Sequence, residues 1–517
     1  MFKWFKKSRD KRDKAINERM CQWNAPLDEQ KIQKSLDDNI TLSKKIFVDM
    51  DVIRYKVVKT NSAAPLRCFL VYCDGMVNSE TINDNIIQPL MMHGRAEKGV
   101  TIEELLQSVV QVAEAKTTMS FADVVENVTA GDTALFVEGC SQAAILNTKQ
   151  FALRAINEPD NEKTLSGPRE GFTESLMQNL SQLIRRAHTN ELKIKMLTLG
   201  RRTKTALCVC YFDSIADKSI LDELLKRLDK IDIDAVLDAN YITELIRDGG
   251  YTTFRTTGYT ERPDAIMGKM LEGRIAIFVD GSPVVLTIPY LFIENFQSSE
   301  DYYLNFYYTS FARLLRITAF LLTVAIPGLY IATVAFHPEM LPLQLLIRIA
   351  LERQSVPLPA AIEAVVMLLV FDVLRETGIR MPSNIGQALS IVGALVIGQA
   401  AVEASLVAAP MIIVVAATGI TSLLVPKLNA PIIFWRFLLL IMASSFGFFG
   451  LTIGLTLLVI HINNLTSFGI EQTSLKGSFK QQDIKDILIR APWATMIKRP
   501  DGLSSNRTRQ TGGNENA

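Results

Sequence analysis

Three residues in the most apolar part of this 517-residue sequence are of types that handle ions: Glu363, Gln399 and Glu403. Gln399 and Glu403 stand four apart, so a helix carrying them presents both on one face. Glu363 precedes and Glu403 follows a charged turn running from Asp372 to Arg380. Counted from that turn at about 1.5 Å per residue, the two acids reach similar depths in an antiparallel helix pair. Carboxylates at such a level have two uses. Each can pair structurally with Arg348 or Arg353 of the preceding amphipathic segment, or repeated subunits can set Glu363, Glu403 or both in a ring that concentrates cations.

Other chemistry is sparse. G-x-G-x-x-G, a Walker P-loop, G-x-S-x-G and H-E-x-x-H do not occur, so no enzyme and no cofactor is expected. The four His are scattered, and Cys208 and Cys210, two apart in "TALCVCYF", read as small core residues on one side of a strand rather than metal ligands. The net charge of +1 leaves no nucleic-acid footprint. Asp74 and Asp213 end apolar strands, where open α/β sheets place ligand groups; the plainer reading is a loop carboxylate capping the next helix.

The elements that must position these residues fall into two regions. Residues 1–316 read as soluble protein, and 317–462 are mostly Ala, Val, Ile, Leu, Gly and Phe. The soluble part repeats itself: "LRCFLVYCDGMVNSETINDNIIQPLM" has the order of "ALCVCYFDSIADKSILDELLKRLDKI", and "GDTALFVEGCSQAAIL" that of "GRIAIFVDGSPVVLTI", the copies lying about 140 residues apart. In the second pair, apolar alternation breaks at Glu138-Gly139 and at Asp280-Gly281, a hairpin signal. The expected fold is therefore an α/β soluble N-terminal region of two related subdomains, 40–160 and 161–305, followed by an α-helical polytopic transmembrane domain over 306–465. A basic tail precedes them at 1–39 and another follows at 466–517.

The start "MFKWFKKSRDKRDK" lacks an apolar signal core, and Arg313 and Arg316 precede the first span, so the soluble part is expected in the cytoplasm. Residues 317–336 suffice to cross a bilayer, and 341–354 reads as interfacial or re-entrant. Segments 360–374, 385–407 and 409–426 then alternate in direction, with Arg375 and Arg380 marking a cytoplasmic turn where charge is cheap. The stripe Gly386, Ser390, Gly393 and Ala394 suits close helix packing. The run 432–461, interrupted by Gly447, Gly450 and Gly454, makes five crossings where a cytoplasmic tail needs an even number. Either 341–354 enters more deeply, or the run is a broken hairpin, or 360–374 does not span.

The blocks "LPAAIEAVVMLLVFDVLRETGIRMPSNIGQALSIVGALVIGQAAVEASLVAAPMIIVVAATGITSLLVP", "GPREGFTESLMQNLSQLIRRA" and "TERPDAIMGKMLEGRIAIFVDGSPVVL" resemble the A-type subunits of GerA-family spore germination receptors. The resemblance covers about residues 40–465. It implies a subunit of a nutrient-germinant receptor in the inner membrane of a dormant spore, forming homo-oligomeric rings that conduct monovalent cations. It further implies a transporter-like B subunit and a lipoprotein C subunit as partners, with membrane lipid around them. In "GPREG" and "TERPD", Pro168 and Pro263 fix rigid turns, and Arg169 and Arg262 offer forked donors; with Glu170, Glu261 and Asp264 they read as buried structural ion pairs or as signalling contacts. A secondary transporter, a membrane-anchored enzyme and an accessory paralogue in small-molecule release are the other classes the sequence admits.

Overall fold

The two copies of the repeat fold into two five-stranded sheets with the same strand order. The structure is a computed structural model; it describes residues 30–61, 65–92, 101–150, 166–248, 252–381 and 396–473, with 159, 162, 164, 393 and scattered residues from 486 to 509. The first sheet contains β1 Ile53–Lys59, β2 Arg67–Cys73, β3 Ala115–Thr118, β4 Thr133–Val137 and β5 Ala143–Leu146, ordered β1-β2-β4-β5-β3. The second contains β6 Leu192–Leu199, β7 Thr205–Phe212, β8 Gly258–Thr260, β9 Ile275–Val279 and β10 Val285–Ile288, ordered β6-β7-β9-β10-β8. Registers correspond as well: Cys68 pairs with Val137 in the first sheet and Leu207 with Val279 in the second.

Two cores explain why these strands read as almost unbroken apolar runs. Along β2, Phe69, Val71 and Cys73 face one core, whereas Cys68 and Leu70 face the other, the period of two that a pleated strand imposes. Helices α1 Leu36–Ile46 and α3 Phe121–Thr129 close the first core, and α2 Gln88–Met92 with its preceding π-turn Thr81–Ile87 closes the second. Cys208, Cys210 and Phe212 of β7 face the first core too, the two Sγ atoms 3.5 Å apart. At the hairpin turns Gly139 and Gly281 hold φ of 84° and 85°, which a glycine adopts without strain.

Among the described residues the strands of both sheets pair antiparallel, so the crevice of an open parallel sheet does not form at Asp74 or Asp213. Asp74 accepts from Arg54 Nε at 3.0 Å, and Asp213 lies 3.5 Å from Lys218 Nζ. The caps of the following helices are residues further on: Asn78 receives the Glu80 and Thr81 amides, and Asp217 receives Ser219 N at the start of α5 Lys218–Asp229. The compact unit built on the two sheets comprises 1–248, 257–290 and 492–517. Tail residues belong to it: Leu503 is buried, Arg499 Nε donates to the Leu271 carbonyl at 2.5 Å, and Arg509 meets Glu272 at 2.6 Å.

The second unit comprises 249–256 and 291–491, so it takes in residues the sequence reading assigns to the second subdomain. Its helices are α7 Phe306–Ile331, α8 Leu343–Gln354, α9 Ala360–Arg380, α10 Ala409–Leu423 and α11 Asn429–Asn463. Segments 306–336 and 426–463 are long and apolar enough to cross a membrane by length and composition.

Helix α11 is a hairpin. Gly447 interrupts it at φ 60° and ψ −137°, and the two arms run back along each other: the rings of Trp435 and His461 are 5.5 Å apart, although a straight helix would separate them by about 39 Å. Gly450 lies so close to the Met442 carbonyl, and Gly454 to the Leu439 side chain, that a Cβ at either position would collide. At Gly447 a Cβ would stand 2.9 Å from Phe336 Cβ and Cγ, in a conformation side chains rarely adopt. Gly447→Val is therefore expected to cost about 2 kcal/mol or more, from strain and overpacking together. Thermal unfolding of the purified chain in detergent reads the loss; an unchanged midpoint would contradict a reversal held at this residue.

Candidate functional site

Glu363 and Glu403 are reached from opposite sides of one short connection, and the structure gives them different surroundings. Glu363 sits in the first turn of α9, buried, and its Oε1 accepts the Ala408 amide at 2.7 Å. Ala408 is the N-cap position of α10 and has no capping side chain of its own, so Glu363 satisfies a backbone donor that the sequence of α10 leaves open. A carboxylate there also meets the positive end of the helix dipole.

Gln399 and Glu403 lie on the helical stretch 396–403, both exposed. Ser405, with φ 51°, ends this stretch, and the Leu406 amide turns back to the Ala401 carbonyl at 2.9 Å. Glu403 is thus an exposed anion at a helix C-terminus, where its charge and the negative end of the helix dipole both favour a cation. The two acids therefore do not form a pair. Among the described residues neither makes an ion pair with Arg348 or Arg353. Of the small-residue stripe, Gly393 approaches the Leu374 side chain of α9; Gly386, Ser390 and Ala394 lie outside the described residues.

The charged stretch read from sequence as a turn is helical, Asp372–Arg380 forming the last turns of α9, and its charges divide in two. Arg380 pairs with Glu376 one helical turn earlier at 2.7 Å, both exposed. Asp372 and Arg375 instead point inward: Asp372 accepts from Arg436 of α11, a fully buried guanidinium, and lies 3.4 Å from Arg375. Arg436 is a residue the sequence reading missed. A lone Arg within "FWRFLLL" was the available signal, because an ion in an apolar run demands a partner. A second buried guanidinium, Arg313 near the start of α7, binds Asp301 and Asp486 at 2.9 Å each, and Arg316 binds Asp301 through both forks at 3.0 Å.

In the sheet-bearing unit the two motif segments are joined by Arg262, which is 1% exposed. It donates to Asp264 at 3.1 and 3.2 Å, to Thr164 Oγ1 at 3.0 Å and to the Pro168 carbonyl at 2.6 Å. The Glu261 carbonyl accepts the Phe172 amide at 2.8 Å. Every forked donor of Arg262 is thereby spent on its own chain, which makes this arginine a fastener of the "GPREG" turn. Glu170 accepts from Arg185 and Arg186 at 2.5 Å each, Arg169 is exposed, and Asp280 accepts the Leu176 amide at 3.1 Å, capping α4 Leu176–Ile184. Partial burial pushes the Glu170 carboxyl up, but the two guanidinium groups outweigh it and hold it below its ordinary 4.5. Among the described residues no three His, Cys, Asp or Glu side chains are grouped to hold a metal.

A family model described as Bacillus/Clostridium GerA spore germination protein matches residues 41–502. "Uncharacterized membrane protein YfkQ" of Bacillus subtilis (strain 168) is 42% identical over 438 residues, covering 84% of this chain and 85% of that protein. "Spore germination protein KA" of the same strain is 38% identical over 477 residues, 92% of this chain and 87% of its own length. Among solved structures, the N-terminal domain of the A subunit of the Bacillus megaterium spore germinant receptor GerK3 is 30% identical, covering 51% of this chain and 98% of that one at a TM-score of 0.41.

Two outcomes follow from the ionic geometry. Asp372→Asn strands Arg436 in the interior and is expected to cost about 3 kcal/mol, whereas Glu376→Gln, at an exposed pair, leaves the unfolding midpoint unchanged. For Glu170 the sign is that of a depressed carboxyl: its stabilisation is complete above pH 4.5 and is lost as pH falls through its lower folded value. Glu170→Gln should therefore destabilise at neutral pH and converge with the parent as pH falls through that lowered folded value in matched thermal melts.

Proposed function

This chain belongs to the GerA family of spore germination proteins, among its A-type receptor subunits, and from that premise we propose that it forms the homo-oligomeric, cation-conducting part of a germinant receptor in the spore inner membrane. Its partners on this reading are a transporter-like B subunit, a lipoprotein C subunit, monovalent cations and membrane lipid.

The observation that carries the reading is the exposure of Glu403, with Gln399 one turn away, on a unit whose surface is otherwise rich in exposed Leu, Ile, Val and Phe. An ionised carboxylate on a lipid-facing surface is costly, and the cost vanishes if copies of the chain turn that face towards one another around water. A ring of Glu403 side chains at helix C-termini then gathers cations, and Gln399 extends the polar lining by a turn. Glu363 serves this arrangement from inside, by fixing the start of α10 and with it the short connection that follows Glu403.

The α11 hairpin supports an even count of crossings. On this reading α7, α9, the segment 385–407, of which 396–403 is described as helix, α10 and the two arms of α11 count as six passes, with α8 along the far surface. Six passes return the chain after Asn463 to the side from which α7 starts, the cytoplasmic side on the charge rule.

Cation flux through proteoliposomes containing the purified chain tests the reading. Glu403→Gln should lower monovalent-cation flux by about tenfold, the scale on which a focused charge raises local counter-ion concentration. Glu363→Gln should lower the unfolding midpoint while leaving cation selectivity in place. Undiminished selective flux in assembled Glu403→Gln, or a strictly monomeric chain in detergent, would overturn the proposal.

A further inference from the structure

At the far end of α7 the helical unit has an open cavity of ≈ 480 Å³. Ile331 and Phe336 of the α7 end, Leu346 and Ile349 of α8, and Ala360 of α9 give it hydrocarbon walls, and one ionic group, Arg353 at the end of α8, enters the lining. Arg353 is half-buried and makes no hydrogen bond or close ion pair among the described residues, the nearby Glu363 carboxylate attracting it only from a distance. The volume lies within the range of built ligand sites, and its chemistry is lopsided: apolar space with a forked cationic donor. Water fits such a space poorly, since a water needs two to four polar partners. A free inorganic anion satisfies the guanidinium and leaves the walls empty.

The outer side of α8 indicates where an occupant comes from. Leu343, Ile347 and Leu351 are exposed there beside the equally exposed Gln344, Arg348 and Glu352, so α8 is amphipathic, with hydrocarbon turned to its surroundings as well as to the cavity. A short amphipathic helix with an arginine in its last turn lies at the boundary between acyl chains and head groups. We propose that this cavity binds an anionic phospholipid of the far leaflet, one acyl chain occupying the apolar space and the phosphate resting on Arg353. This rests on the reading of the helical unit as membrane-embedded and is independent of whether it conducts. Such a lipid would wedge α8 against the α7 end and the start of α9, beside the turn that carries Glu363.

The test uses the full chain reconstituted in nanodiscs of equal phosphatidylglycerol and phosphatidylcholine, then released into mild detergent for native mass spectrometry of retained lipid. Phosphatidylglycerol should be retained over phosphatidylcholine by about tenfold, the size of one charge-assisted hydrogen bond. Arg353→Gln should abolish the preference and Arg353→Lys keep most of it, while Ala350→Phe, which fills the cavity, should reduce retention of both lipids. Equal retention of the two lipids by the parent chain, or an undiminished preference in Arg353→Gln, overturns the site. Loss of the preference in millimolar inorganic phosphate also overturns it, by assigning Arg353 to a free anion. Flux measured on the same samples separates the two readings, since a chain that conducts without lipid preference refutes the lipid site alone.

Discussion

The helical unit depends on the reversal at Gly447. A run of 35 residues from Asn429 to Asn463 with hardly a charge invites one long helix, and a single positive φ turns it into two arms of about 25 Å each. The arms can lie against α7 only because the contact surfaces are bare: Gly450 and Gly454 between the arms, and Gly328 on α7, whose missing side chain admits Leu451, Ala443 and the Leu439 carbonyl. Close approach of backbones through small residues is the means by which helices associate where burial of apolar surface supplies little drive. The reversal also brings both ends of α11 to one level, so that Trp435 and His461 meet and Arg436 reaches Asp372 from the first arm.

Around that scaffold the charges sort by the cost of burying them. Arg313 and Arg436 lie fully inside, each on a carboxylate; an unpaired guanidinium at either position would cost several kcal/mol. Glu363 is inside as well, and its acceptor capacity goes to a backbone amide rather than to an arginine. Glu403 and Arg353 are the contrasting pair. Neither has a close ion-pair partner among the described residues, and these are the two groups to which the proposed cation and the proposed phosphate are assigned.

Much of this was legible in the sequence, and the limits have physical causes. The duplication was visible because strand order and hairpin turns follow local pattern: Glu138-Gly139 and Asp280-Gly281 break alternation at equivalent places, and both glycines take the positive φ such turns need. For Glu363 and Glu403 the sequence offered an expected depth from the fixed rise per residue, across residues 382–392 that lie outside the described ones. Their azimuths were not legible, because the side a helix turns inward is decided by neighbours such as Phe371 packing on Gly419. The Asp372–Arg436 pair spans 64 residues, beyond any local pattern. The interruption at Gly447 left a broken hairpin as one of three readings of the last run, because hydropathy is the same for a straight helix and a folded one.

Helix α9 links these features. Asp372 clamps it to the first arm of α11, and Glu363, nine residues earlier and about 14 Å along the axis, fastens its other end to Ala408. Between Glu363 and Glu403 there is then only the tight connection closed by the Leu406 amide on the Ala401 carbonyl. An axial shift of α9 must either break the cap on α10, exposing a buried carboxylate, or carry the 404–408 connection and Glu403 with it. Breaking the cap costs an unsatisfied amide and a stranded charge, so the concerted movement is the cheaper of the two. Force applied at the Arg436 end of α9 therefore reaches Glu403 through two hydrogen-bonded contacts and one rigid helix, which gives the exposed acid a mechanical connection to the ionic cluster at the opposite end of the unit.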